Sequence, residues 1–243
     1  MIPTGKRRLA AAVAGLLLVV FAVIAGTVMG RSGQTMRARP AGGRPPLLLL
    51  TSLPIVFPED ITLKSRPPPV LAALRSRYSV VPISLADRTS LDGHRLLLMA
   101  QPQAQPAEVL VALDHWVRSG GHVLLLADPA LEWPSRRPLG SVARAPLAYP
   151  DTGLLGHWGL RLDAPDSLGP QAIEIGETKI ETASPGVLVA SGGNCSVDSG
   201  FIARCRIGSG EATVIADADF IDTSESRSPN LQLLLGELER LEQ

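Results

Sequence analysis

The sequence predicts an α/β fold, in which an apolar N-terminal helix precedes a mostly parallel sheet with an antiparallel β extension. Short, continuous apolar runs such as residues 47–50 recur along the chain, and runs of this kind are typical of strands covered on both faces. Segments with helical spacing separate the runs, and Gly or Pro often stands at the boundary. This alternation indicates βαβ units with right-handed crossovers.

The first half of the folded body contains the clearest elements. Residues 106–119 carry apolar side chains on one helical face, with Pro106 in the first turn and Gly120 and Gly121 after the last. The apolar runs around this helix predict strands. In chain order we predict a strand at 47–53, a helix at 70–78, strands at 79–83 and 95–99, the helix at 106–119, and a strand at 122–127.

The second half changes character after a region rich in Pro and Gly at 135–168. We predict a β-rich insertion over 171–210, which consists of short antiparallel strands and a hairpin. A buried strand and an amphipathic helix then close the chain. In order, the predicted elements are a short helix at 153–158, strands at 172–175, 179–182 and 187–190, a hairpin at 195–207, a strand at 212–216 and a helix at 229–241.

Residues 9–29 contain no charged side chain. As a helix they would extend about 31 Å, which matches the roughly 30 Å hydrocarbon core of a bilayer. We predict an uncleaved transmembrane helix after a cytoplasmic tail at 1–8, with a flexible linker at 30–46 and the body at 47–243. A buried core helix and a cleaved signal peptide are the alternatives.

Charge is distributed unevenly along the chain. Residues 1–46 carry seven basic side chains and no acidic one, whereas the remainder holds 16 basic and 23 acidic residues. A basic stub on an acidic body is typical of a membrane-anchored protein. Because the body is acidic and only 4% of the residues are aromatic, nucleic acid is excluded as an expected partner.

Cys195 and Cys205 lie almost symmetrically about Gly200 in the predicted hairpin. Facing positions of a hairpin bring Cβ atoms within disulfide distance, so we predict a structural disulfide, with a redox pair or two unpaired thiols as alternatives. The bond would persist only in an oxidising compartment. It therefore predicts a single-pass protein of the bacterial inner membrane, with its N-terminus in the cytoplasm and its body in the periplasm.

Four aspartates follow two of the predicted strands: Asp128 follows one, and Asp217, Asp219 and Asp222 follow the other. Ligands of open α/β sheets bind outside the carboxyl ends of the strands, so these carboxylates are candidates for binding a ligand or a divalent cation. The alternative is that they cap backbone N–H groups in turns. No histidine pair, phosphate loop or nucleophile elbow occurs in the sequence, so we expect no catalytic residue, resident metal or cofactor.

The segment PAEVLVALDHWVRSGGHVLLLADPAL resembles the helix–Gly-Gly–strand element of class I glutamine amidotransferase-like folds. With LLLLTSLPIVF and ATVIADADFID, it resembles more closely the gliding-motility-type (GldG-like) auxiliary proteins of uncharacterised ABC transport systems. Asp217, Asp219, Phe220 and Asn230 match a pattern of that group, and the resemblance covers roughly 47–132 and 211–243.

This resemblance implies a flavodoxin-like fold and a non-enzymatic, membrane-anchored accessory or scaffold subunit. Its partners would be the membrane or ATPase subunits of an ABC transporter. Enzymes of the amidotransferase group need a cysteine at a tight strand–helix elbow, whereas Cys195 and Cys205 lie in the predicted hairpin. The alternative functions are an envelope hydrolase and a small-ligand-binding sensor, both of which would use the aspartate cluster.

Overall fold

Eleven strands and five α-helices make up the part of the chain that the computed structural model describes, namely residues 36–57, 59 and 67–243. The strands are β1 Pro46–Thr51, β2 Ser79–Ile83, β3 Leu96–Ala100, β4 His122–Leu126, β5 Leu160–Asp163, β6 Pro170–Ile175, β7 Thr178–Ala183, β8 Val187–Ala190, β9 Cys195–Asp198, β10 Ile202–Ile207 and β11 Gly210–Ile215. The helices are α1 Pro69–Arg77, α2 Arg88–Leu91, α3 Ala107–Arg118, α4 Leu154–Trp158 and α5 Pro229–Leu241.

The central sheet has seven strands in the order β2-β1-β3-β4-β11-β10-β9. The first five of these pair in parallel, and β10 and β9 extend the sheet in antiparallel pairs. In β1 the side chains of Leu47 to Leu50 are at most 4% exposed, because both faces of the sheet are covered. The predicted mixed α/β class with a mostly parallel sheet and antiparallel strands is confirmed.

Helices cover the sheet as two pairs. Helix α1 packs against α5, and α2 packs against α3, while α5 also contacts β3 and β4. Right-handed crossovers place such pairs on opposite faces of a parallel sheet. Helix α5 begins at Pro229 after Ser228, whose hydroxyl accepts a hydrogen bond from Leu231 N at 3.3 Å.

The predicted β-rich insertion divides into three parts. Strands β6 and β7 form a separate two-stranded sheet, and β8 pairs with β5 in another. Strands β9 and β10 join the central sheet instead, because β10 pairs along its whole length with β11. Two short elements, β5 and α2, have no counterpart among the predicted elements, since four residues show too little periodicity to stand out.

The segment before β1 is bound to the body. Arg39 N donates to Ser76 O at 2.9 Å, the Arg39 guanidinium pairs with Glu242 at 2.9 Å, and it lies 5.4 Å from the centre of the Tyr78 ring. Arg39, which lies in the predicted linker, therefore contacts both α1 and the end of α5. The cause is the pairing of basic side chains with acids near the end of α5.

The predicted transmembrane helix at 9–29 and the tail at 1–8 lie outside the described residues. Within the described part of the chain, no helix has the length and apolar character needed to cross a membrane.

Candidate functional site

A cleft of about 580 Å³ opens at the carboxyl ends of β1 and β2. The chain runs from β1 to β2 on one side and later places β3 on the other side of β1. In doubly wound sheets such a reversal of strand order leaves a crevice in which ligands bind. The lining residues fall in five segments of the chain: 49–54 with 56, 57 and 59; 82–84; 103 and 105; 131, 133–135 and 137; and 142–145 with 147.

Hydroxyl groups fix the floor of the cleft. Thr51 Oγ1 donates to Ala100 O at 2.8 Å and accepts from Leu53 N at 3.0 Å. Ser52 Oγ donates to Gln101 O. Both hydroxyls therefore hold the end of β1 against the end of β3.

Gln101 follows β3 directly and organises the loops behind the cleft. Its side chain is fully buried, and its φ of 43° lies in the left-handed region, which non-glycine residues rarely adopt. Gln101 Nε2 donates to Asp128 O at 3.1 Å and to Pro146 O at 3.0 Å, and Oε1 accepts from Asp128 N at 2.9 Å. Sequence analysis missed this residue, although a polar side chain directly after a buried apolar run was a usable signal.

Two more glutamines fix one side of the cleft. Gln103 Nε2 donates to Arg144 O at 2.7 Å and holds the 142–147 segment close to the end of β3. Gln105 Nε2 donates to Gln103 O at 3.1 Å, and its Oε1 accepts from Ala86 N at 3.4 Å. These amides are already engaged in shaping the wall.

Three described residues in the lining carry a charge: Glu59, Arg137 and Arg144. The Glu59 carboxylate accepts from Ser135 Oγ at 2.5 Å and from Arg136 N at 2.9 Å, and it pairs with Arg137 at 3.5 Å. The hydrogen bond from Ser135, followed by that from Arg136, lowers the pKa of Glu59 below its ordinary value. Its negative charge is therefore compensated within the wall.

The predicted aspartates lie elsewhere, at the ends of β4 and β11. Asp128 Oδ1 accepts from Ala130 N at 2.8 Å, and its Oδ2 accepts from Ala218 N at 3.0 Å. Asp219 Oδ2 accepts from Glu132 N at 2.7 Å. These carboxylates tie the loop after β4 to the loop after β11, which is the turn-capping alternative of the sequence analysis.

Asp217 belongs to the same cluster and is fully buried. Its Oδ1 accepts from Thr182 Oγ1 at 2.6 Å and from Phe220 N at 2.7 Å, while Oδ2 has no partner among the described residues. Burial, followed by the nearby charge of Asp128, raises the pKa of Asp217 well above its ordinary value. A proton on this carboxyl group is favoured for that reason.

Burial is also the main cause of the raised pKa of Asp128 and Asp219, whereas Asp222 is exposed to solvent. For Asp219 the pKa rises to about 7, and the charges of Asp128 and Glu132 add to the effect of burial. Asp222 ends the short 3₁₀ turn Asp219–Ile221. The structure thus brings Asp128, Asp217 and Asp219 together. Among the described residues, no group of His, Cys, Asp and Glu side chains could hold a metal ion.

Asn230, which matched the resemblance, joins three elements. Its Nδ2 donates to Phe220 O at 2.6 Å and to Glu181 O at 2.7 Å, and its Oδ1 accepts from Glu181 N at 3.2 Å. Phe220 is buried and meets the Phe201 ring edge to face. The matched residues therefore hold α5 and β7 against the turn after β11.

Cys195 and Cys205 form the predicted disulfide. They are direct partners in the β9–β10 register, with Cα atoms 4.0 Å apart. The prediction of a cross-strand disulfide is confirmed.

No protein-family model matches this chain, and no curated protein matches it significantly. Among solved structures it is similar to the N-terminal domain of mmIFT52, with a TM-score of 0.50 and 11% identity over 79% of this chain and 97% of that one. An exo-β-1,4-mannosidase from Opitutaceae bacterium strain TAV5 matches with a TM-score of 0.46 and 12% identity over 82% of this chain. The chain spans only 35% of that mannosidase.

A cytoplasmic protein of Salmonella typhimurium LT2, STM1381, matches with a TM-score of 0.47 and 12% identity, over 81% of this chain and 99% of that one. At such identities a likeness bears on fold alone. The class that fold and site together define is a mixed α/β domain with a cleft at the reversal of its strand order.

Proposed function

We propose that this chain is a non-enzymatic, membrane-anchored accessory subunit of an ABC-type transport system. Its body binds a small molecule in the cleft beside β1. The resemblance to the GldG-like group supports the accessory role. The observation that carries the binding role is the cleft itself, in which Thr51, Gln103 and Glu59 are occupied in holding the walls and Arg144 keeps free donors. Within this proposal the fold is flavodoxin-like, as in the class I glutamine amidotransferase-like and GldG-like proteins. The parallel strand order β2-β1-β3-β4-β11 supports that finer assignment.

Binding fits the geometry better than catalysis does. Gln101 directly follows β3 and has a positive φ, as a residue in a tight turn after a strand can have. Its amide is not a nucleophile, and this amide already makes three hydrogen bonds. An envelope hydrolase would need a carboxylate that a substrate can reach. Asp128 and Asp219 accept hydrogen bonds from backbone N–H groups, and Asp217, whose Oδ2 has no partner among the described residues, is fully buried. The cleft has apolar walls, and most of its polar groups already bond to the protein. Such a site suits a ligand that is bound and released without chemical change.

The membrane part of the proposal rests on the sequence and on the disulfide. Residues 9–29 are apolar and long enough to cross a bilayer. The Cys195–Cys205 bond favours an oxidising compartment for the body. Together they support a single pass through the bacterial inner membrane, a periplasmic body, and the membrane or ATPase subunits of the transporter as partners.

Purification of the full chain from membranes in mild detergent tests the partner. We expect transporter subunits to copurify, and a monodisperse protein without any membrane partner contradicts the accessory role. Carbonate washing of membranes tests the anchor, because a transmembrane chain stays in the pellet.

A screen of small metabolites by thermal unfolding of the full chain tests the cleft. We expect at least one compound to raise the melting temperature, and Ala145→Trp to abolish that increase, since Ala145 lines the cleft. The control is Val111→Trp, at an exposed position on α3 outside the cleft. Stabilisation that survives Ala145→Trp, or the absence of any stabilising compound, contradicts binding at this site.

A further inference from the structure

The charge balance of the cleft narrows the class of its ligand, if the cleft is the binding site proposed above. Among the described lining residues, Glu59 is compensated by Ser135, the Arg136 N–H and Arg137. Arg144 has no carboxylate of a described residue within ion-pair distance. The described wall therefore carries one uncompensated positive charge.

Arg144 also has hydrogen-bonding capacity to spare. A guanidinium offers five N–H donors, and the Arg144 side chain spends Nη1 on Arg137 O at 2.6 Å. Its backbone is fixed at the same time, because Arg144 O accepts from Gln103 Nε2 and Arg144 N donates to Ser141 O at 3.0 Å. A half-buried guanidinium on a fixed backbone is well suited to a planar, bidentate anion.

The rest of the lining is largely apolar, and part of it is exposed to solvent. Phe57 is 74% exposed, Val142 92% and Leu147 48%, and all three line the cleft together with Trp133. Large apolar side chains left in water beside a concave site mark a surface that a ligand covers. The volume of about 580 Å³ lies within the usual range for small-molecule sites.

We propose that the cleft takes a small organic carboxylate with an apolar or aromatic body, and that Arg144 holds its carboxylate group. The apolar body lies against Trp133 and the exposed side chains of the cleft. The carboxylate of the ligand pairs with Arg144, and its negative charge balances the net positive charge of the described lining residues.

The test uses phenylacetate and its neutral isostere phenylacetamide as probes, titrated calorimetrically into the full chain in a neutral detergent. We expect phenylacetate to bind about tenfold or more tightly than phenylacetamide, because a hydrogen bond to a charged group is the stronger one. Arg144→Gln removes that preference, whereas Arg88→Gln, at an exposed position on α2, keeps it. Phenyl phosphate serves as the second anion and separates a carboxylate site from a phosphate site.

Equal binding of acid and amide overturns the proposal, as does a preference for the acid that survives Arg144→Gln. Tighter binding of phenyl phosphate than of phenylacetate overturns the carboxylate assignment. If neither phenylacetate nor phenylacetamide binds, the proposal also fails. The binding function still stands in that case, provided that another compound stabilises the chain and Ala145→Trp abolishes its effect.

Discussion

Arg204 on β10 and Glu237 on α5 share two hydrogen bonds, and the one from Nε to Oε2 is 3.0 Å long. Glu237 also accepts from Arg240 Nε at 3.1 Å, and Arg240 in turn reaches Glu211 Oε1 at 2.6 Å and Thr213 Oγ1. This network joins the last helix to the antiparallel edge of the sheet. Burial alone would raise the pKa of Glu237, but its bonds with Arg204 and Arg240 outweigh burial and hold that pKa below its ordinary value.

We therefore expect Glu237→Ala to destabilise the body. Removing one partner leaves the Arg204 charge uncompensated, and the free energy of unfolding should fall by about 3 kcal/mol, the lower end for a broken buried pair because Arg204 is partly exposed. Urea unfolding followed by tryptophan fluorescence measures it. Glu225→Ala, at an exposed position, is the control and should change the free energy by about 0.5 kcal/mol or less. Equal stability of the two variants contradicts a structural role for the network.

The pKa of Asp219 makes stability depend on pH. Its value of about 7 in the folded state exceeds the value of about 4 in an unfolded chain. The folded state therefore favours the protonated carboxyl, and this contribution is fully present below pH 4 and is lost as the pH rises to about 7. Asp128 and Asp217 act in the same direction, because their pKa values are raised as well.

Asp219→Asn isolates the contribution of that residue. The amide oxygen can still accept from Glu132 N, but the side chain no longer ionises. We expect the variant to melt at a higher temperature than the parent at pH 8, and to show a smaller fall in melting temperature between pH 5 and pH 8. Differential scanning calorimetry measures both. Asp92→Asn, at an exposed position, is the control. If the melting temperature of the variant depends on pH as that of the parent does, ionisation of Asp219 does not control stability.

Much of the sheet could be predicted because its burial is recorded in the residue pattern. The apolar runs of β1, β3, β4 and β11 are buried on both faces, so each is continuous and bounded by Gly, Pro or polar residues. The position of Cys195 opposite Cys205 followed from the symmetry of one hairpin, which is local information. Elements of four residues such as α2 and β5 carry too few positions for a period.

The cleft could not be predicted, because no local pattern encodes it. Its walls come from five separate segments of the chain, and its most informative residue, Arg144, lies in a loop without a motif. The convergence of Asp128 with Asp217 and Asp219 was predictable from the rule that parallel strands end at one edge. Capping of backbone N–H groups was one of the two roles considered for them, but the particular N–H groups could not be predicted, because these belong to loops whose shape depends on the whole fold.

The disulfide should stabilise the hairpin and keep both sulfur atoms from reacting with alkylating reagents. The two cysteines are 10 residues apart, and closing so short a loop contributes about 2–3 kcal/mol. We expect the free energy of unfolding of Cys195→Ala/Cys205→Ala, measured in urea, to be lower by that amount. Alkylation of intact cells and of denatured, non-reduced extract should leave both sulfurs unlabelled, and labelling should follow reduction. Free reaction before any reductant is added contradicts the oxidised state and the periplasmic placement.

At Gly210 the backbone of β11 packs directly against the end of α3 and the turn that follows it. A Cβ at this first residue of β11 would lie 2.1 Å from Val117 O and 2.2 Å from Gly121 O, and neither backbone atom can move away easily. We expect Gly210→Ala to lower the free energy of unfolding by about 3 kcal/mol, as overpacking in a rigid core does. Gly156→Ala is the matched control, because nothing lies within 4 Å of a Cβ there and Ala favours the helix α4 by up to about 1 kcal/mol. The urea midpoint should therefore fall for Gly210→Ala and rise for Gly156→Ala relative to the parent. An unchanged midpoint for Gly210→Ala contradicts the packing of α3 on β11.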